Sequence, residues 1–128
     1  MLATLEVQKA IYEKLMSYGL AVHSTLPINT KLPYVQFTNI TIEDESNKSV
    51  ERQAYTVSLA VWCVDTTSIN IHTMTKQVLD ILEEELDLGE EYSHDKTQLD
   101  LVTMLQDEIN SEIVNHAVIH LIIEVSKN

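Results

Sequence analysis

The chain has 128 residues, 45% of them hydrophobic, which fits one domain spanning residues 1–128 with a core of ordinary size. Its formal charge is −12, from 20 acidic against 8 basic side chains with no basic cluster, so binding along nucleic-acid phosphates and docking on an anionic membrane are both disfavoured. Two glycines and two prolines exclude a collagen-like chain and the usual phosphate-cradling loops, and a single cysteine excludes an internal disulfide.

The opening residues Met1–Glu6 carry no basic segment followed by an apolar run. No window approaches the roughly 18 apolar residues of a membrane-spanning helix. A soluble protein made in a cytoplasm is expected. From Ala3 to Tyr18, Val7, Ala10, Ile11, Leu15 and Tyr18 form a helical stripe, with Glu6, Gln8, Lys9, Glu13 and Lys14 outside it. Thr4 is the expected cap and Gly19 the expected stop. Leu20–Ser24 reads as a short strand, and Leu26–Leu32 as a connection kept out of a sheet interior by Pro27 and Pro33.

Two long strands follow. In Ala54–Val64, Tyr55, Val57, Leu59, Val61 and Cys63 point one way and Ala54, Thr56, Ser58, Ala60, Trp62 and Val64 the other, so one face is a core face and Cys63 a small buried thiol. The strand from Pro33 to about Glu43 is less sharply patterned. Simple alternation places Val35, Phe37 and Asn39 on one side, with Tyr34, Ile40 and Ile42 on the other. Between the strands, Asp44–Gln53 has no apolar period and exceeds the two to five residues usual for a hairpin. Its Asp44, Glu45, Lys48, Glu51, Arg52 and Gln53 are candidate contact residues.

Asp65–Ser68 is a polar break with candidate caps. Ile71, Met74, Val78, Ile81, Leu82 and Leu86 then recur at helical spacing. Glu83–Glu85 falls near the end of this helix, where the dipole disfavours each exposed carboxylate by about 0.3–1 kcal/mol. Gly89–Lys96 reads as a polar turn. Leu99, Leu101, Thr103 and Leu105 alternate with Asp100, Val102 and Met104, predicting a strand with two semi-apolar faces. Gln106–Asn115 reads as a second acidic connection, with Asp107, Glu108 and Glu112 as further contact candidates. His116–Val125, long and β-branched, is the expected central strand.

The expected class is α+β, in the order α-β-β-β-α-β-β, with two amphipathic helices on a mainly antiparallel sheet of four or five strands. Apolar residues on the second side, Trp62, Val64, Val118 and Ile122, leave two arrangements open. Either one helix covers each face, or a face is finished by oligomerisation.

Chemical motifs are absent. His116 and His120 stand about 13 Å apart along a strand at ~3.3 Å per residue, too far to share an ion. His72 and His94 read as surface residues, and His23 has no partner in sequence. Acidic pairs such as Asp44/Glu45, Glu90/Glu91 and Asp107/Glu108 lack the calcium-loop pattern. There is no Gly-x-Ser-x-Gly, and Cys63 has no adjacent base. No catalysis, cofactor or metal is expected.

The segments Leu5-Glu-Val-Gln-Lys-Ala-Ile-Tyr-Glu-Lys-Leu15, Leu32-Pro-Tyr-Val-Gln-Phe37 and Tyr55-Thr-Val-Ser-Leu-Ala-Val-Trp62, followed by an amphipathic helix and a closing strand, resemble the tail completion proteins of long-tailed bacteriophages. The resemblance covers nearly the whole chain and departs at Glu90–Lys96 and Gln106–Asn115. It implies a small α+β virion protein, similar in role to the tail terminators of lambda-like phages. Such a protein assembles as a hexameric ring at the head-proximal end of the tail tube. There it ends the tube or joins the tail to the head connector or stopper protein. DNA would pass through without specific binding, and carboxylates along its path would repel phosphates. Rival expectations are another connector component, stopper or adaptor, and a small-ligand regulatory domain. Within the ring reading, Asp44–Gln53 is expected to be mobile in the monomer and ordered at a subunit contact.

Overall fold

The computed structural model describes residues 1–24, 31–64 and 69–128. Seven elements follow in chain order: α1 (Thr4–Ser17), β1 (Val22–His23), β2 (Tyr34–Asp44), β3 (Arg52–Val64), α2 (Ile69–Leu82), β4 (Tyr92–Ile109) and β5 (Glu112–Lys127). They match the expected α+β order. The strands form one five-stranded sheet, β1-β2-β3-β5-β4, in which only the β1–β2 pair is parallel.

Helix α1 buries Val7, Ala10, Ile11 and Leu15, the stripe read from spacing, whereas Tyr18 is half exposed. Its start differs from expectation. Thr4 is already helical, and Ala3 occupies the cap position with no side-chain hydrogen bond. The Ala3 N–H donates instead to the Tyr55 hydroxyl at 2.8 Å, so the sheet itself satisfies the helix entry. At the other end Gly19 adopts φ +84°, the Gly19 N–H donates to the Met16 carbonyl and the Leu20 N–H to the Leu15 carbonyl. That is the Schellman pattern, and it requires the left-handed conformation glycine supplies.

Helix α2 buries Ile71, Met74, Val78, Ile81 and Leu82. It ends before Leu86, which is buried from the following connection instead of from the helix. Glu83–Glu85 therefore follows the helix, and Glu84 is compensated: it accepts from the Tyr18 hydroxyl at 2.7 Å and pairs with Lys14 at 3.2 Å. These bonds hold its carboxyl below the usual range, Tyr18 contributing most. The expected connection Leu26–Leu32 and break Asp65–Ser68 lie largely or wholly outside the described residues.

The unclear patterning of β2 has a specific cause. Phe37 pairs with Leu59 and Asn39 with Ser58, so Thr38 is an extra residue, and its hydroxyl donates to the Ser58 carbonyl at 2.9 Å. Beyond this bulge the alternation inverts. Ile40 faces Val57 and Ile42 faces Tyr55, on the same side as Val35 and Phe37, and not opposite them as unbroken alternation predicts.

Both helices lie on one side of the sheet. A single core joins their stripes to Tyr55, Val57, Leu59, Val61 and Cys63 of β3 and to Ala117, Ile119, Leu121, Ile123 and Val125 of β5. Of the two arrangements left open by the sequence, one helix per face is excluded. Among the described residues no helix lies on the second face.

Two further boundaries are corrected. Tyr92–Lys96 belongs to β4 and not to a turn, and Gln106–Asn115 is not a loop. Strands β4 and β5 remain paired out to Ile109↔Glu112, and only Asn110 and Ser111, at φ 51° and 66°, form the turn. A two-residue turn with both central φ positive matches the right-handed twist of the strands it joins.

Candidate interaction surfaces

The two groups of candidate contact residues stand at opposite ends of the sheet. Strand β3 pairs with β5 from Arg52↔Ser126 to Val64↔Val114, so the β2–β3 tip and the β4–β5 tip are separated by at least the length of β3, roughly 40 Å. The structure does not bring them together within one molecule.

At the first end, strands β2 and β3 take up Asp44, Arg52 and Gln53, which shortens the expected loop to residues 45–51. The side chains of Asp44 and Asn47 are spent on bonds within the tip itself. Asp44 Oδ1 accepts from the Ser46 hydroxyl at 2.7 Å and from the Ser46 N–H at 3.1 Å. Asn47 Oδ1 accepts from the N–H groups of Ser49 and Val50, and the Glu45 N–H donates to the Arg52 carbonyl. The Ser46 bonds hold the Asp44 carboxyl below its ordinary value, the hydroxyl contributing most. Arg52 pairs with Asp95 of β4 at 3.4 Å, and the Gln53 amide donates to the Met1 carbonyl at 2.8 Å. Glu45, Lys48 and Glu51 remain exposed. An open cleft of about 620 Å³ between this tip and Met1 is lined by Asp44, Asn47, Lys48 and Glu51.

At the second end, Asp107, Glu108 and Glu112 lie on strands at the tip of the β4–β5 hairpin. Asp107 stands 3.3 Å from Nδ1 of His116, a nearly buried residue. His116 in turn stacks on Trp62, with ring centroids 4.1 Å apart and planes 15° from parallel. Tyr34, Trp62, His116 and Leu105 are register partners on four successive strands, which makes a largely aromatic row across the uncovered face. The row Glu43, Ala54, Glu124 and Lys96 crosses the same face near the first tip. The uncovered face thus grades from aromatic to charged along its length.

Sequence reasoning missed the exposure of β4. Leu99, Leu101, Met104, Leu105 and Ile109, together with Ile113 of β5, are 40–53% exposed. The available signal was the run Leu99–Leu105, apolar on both sides of an alternating strand, as only a buried or partnered strand requires.

His94 is also not the surface residue expected. It is half buried, Nδ1 accepts from the Leu86 N–H at 3.0 Å, and Nε2 lies 2.7 Å from the Thr97 hydroxyl. Burial lowers its pKa, and protonating Nδ1 would set two donors against each other. A cleft beside it is lined by Glu85, Asp87, Tyr92 and Ser93. Among the described residues no three His, Cys, Asp or Glu side chains are placed to hold a metal ion. No described helix is long and apolar enough to cross a membrane.

No protein-family model matches the chain, and a comparison with individually curated proteins finds no match. The fold does have likenesses among solved structures. One is a chain of the virion of a native gene transfer agent particle, with a TM-score of 0.75, 15% sequence identity, and 95% of each chain covered. At that identity the likeness is one of fold.

Proposed function

We propose that the protein is a structural component of a phage-type virion, a ring of six copies at the head-proximal end of a tail tube that terminates the tube or joins it to the head connector. The observation that carries this reading is the likeness of the whole fold to a chain of a gene transfer agent virion, without large insertions on either side. The resemblance of Leu5–Leu15, Leu32–Phe37 and Tyr55–Trp62 to tail completion proteins supports the same role independently. The form of the molecule also suits it. A connecting protein needs one surface for its own copies and others for the components above and below. Here two unlike tips stand at opposite ends of one sheet, and a third surface, the uncovered face, lies between them. The formal charge of −12 suits a channel wall that does not retain DNA.

The test is to mix purified protein with tail tubes lacking it and, separately, with filled heads, then examine both by electron microscopy with light scattering of the free protein. A six-fold ring capping the tube end is the expected result. Binding to filled heads alone would assign a stopper or adaptor role instead, and binding to neither would overturn the proposal. The part played by residues 45–51 is read from amide exchange, which should slow on assembly; equal protection in free and assembled protein would remove this tip from the subunit contact.

A further inference from the structure

The β4–β5 hairpin has an unusual surface for the edge of a sheet. Strand β4 is 18 residues long and forms the outer edge, so among the described residues no strand stands beside one row of its backbone donors and acceptors. The breaks in pairing are confined to its first half, where the register shifts at Asp95 and Asp100, and in the second half only Asp107 and Glu108 guard the edge. From Leu101 to Ile109 the pairing is unbroken, with no proline and no lysine. This stretch carries apolar side chains on both sides, interrupted by Thr103, Gln106, Asp107 and Glu108. Leu101, Leu105 and Ile109 share the uncovered face, while Met104 and Ile113 are on the helix side but exposed. Six such side chains at about half exposure, Leu99 included, present on the order of 500 Å² of apolar surface, divided between the two faces, with Leu99, Met104 and Ile113 on the helix side. With the free backbone edge, that approaches the roughly 800 Å² per partner of a stable interface.

Charge identifies the occupant. From Thr97 to Val125 there is no lysine or arginine, while Asp100, Asp107, Glu108, Glu112 and Glu124 are present. Half of the eight basic residues, Lys48, Arg52, Lys96 and Lys127, stand at the opposite end of the sheet, by their place in the β2–β3 tip or their register partners. Copies packed side by side about a common axis would bring acidic tips to the same level, away from those cations. We infer that the distal half of β4, Leu101–Ile109, is a docking edge for an extended apolar segment flanked by basic residues, supplied by a different protein. The segment adds a strand to the sheet, its apolar side chains cover Leu101, Leu105 and Ile109, and its cations meet Asp107, Glu108 and Glu112. This edge is defined without reference to the virion role.

The test uses two synthetic peptides, each eight alternating Val and Thr residues, one flanked at both ends by paired lysines and the other by paired glutamates. The lysine-flanked peptide should slow amide exchange across Leu101–Ile109, bind at least tenfold more tightly than the glutamate-flanked one, and weaken as salt is raised. The surface double variant D107K/E108K, checked for folding by circular dichroism, should reverse the preference. Equal binding of the two peptides, or no protection of β4 by either, would overturn the inference. So would sedimentation showing that the protein alone associates through this edge and that Leu105→Lys abolishes the association, since the occupant would then be a second copy.

Discussion

Tyr55 joins more of this molecule than any motif search singles out. Its ring is fully buried in the core, while its hydroxyl accepts from the Ala3 N–H and donates to the Gln53 side chain. Removing that hydroxyl leaves a buried N–H at the start of α1 unpaired, which costs about 1–3 kcal/mol. Tyr55→Phe should lose that much stability in urea denaturation, with the residues before Val7 becoming the first site of limited proteolysis. His94 gives the protein a pH dependence of definite sign. Burial lowers its folded pKa below the ordinary value near 6.5, so the unfolded chain binds more protons as pH falls through that value. Stability should therefore fall between neutral pH and the lowered folded value and level off below it. The His94→Gln variant should show a shallower fall over the same window. Neither role was legible in the sequence. Tyr55 could be read only as one member of a core face, and His94 acquires its environment from Leu86 and Thr97, brought to it by the return of the chain after α2.

Elements with one dominant contact face were legible, and those without were not. The α1 stripe reports burial against one layer, so period and burial agree from Val7 to Leu15; in β3 the alternation marks the helix-side face, Tyr55 to Cys63, although the small Ser58 and Ala60 of the other face are buried as well. In β2 the same reasoning fails after Phe37, because one extra residue at Thr38 inverts every later position. Deleting Thr38 should therefore remove the bulge and leave an unbroken ladder from Phe37↔Leu59 to Ile40↔Val57, with Ile40 and Ile42 still on the helix side, so the fold should survive in thermal melting; a collapse of the thermal midpoint would show that the bulge itself is required. The distal β4–β5 hairpin was hidden for a different reason. Its charged residues lie on both faces, and its turn, Asn110-Ser111, lacks the glycine that announces a two-residue hairpin. Serine at φ 66° is disfavoured there. Ser111→Gly should raise stability by about 0.5–1 kcal/mol in chemical denaturation, whereas Ser111→Val should lower it.

At the scale of the whole molecule, the placement of both helices on one side was not written in either helix. Each stripe asks only for an apolar surface, and the strands offer two. The choice leaves the sheet as a wall with one clad and one bare side, and the two candidate contact regions at its two ends were adjacent to nothing in the sequence that would order them. The β2–β3 and β4–β5 hairpins are joined by the ladder running from Arg52↔Ser126 to Val64↔Val114, and their tips point in opposite directions. A pull applied between Lys48 and Asn110 therefore acts along the strands, and the β3–β5 hydrogen bonds must give way together in shear and not one after another as in a zipper. Force spectroscopy through those two points should find a high, single rupture, much stronger than when the same hairpins are peeled apart from one end. A protein anchored by its two tips would be a tension-bearing link, strongest along the line that runs from one attachment to the other.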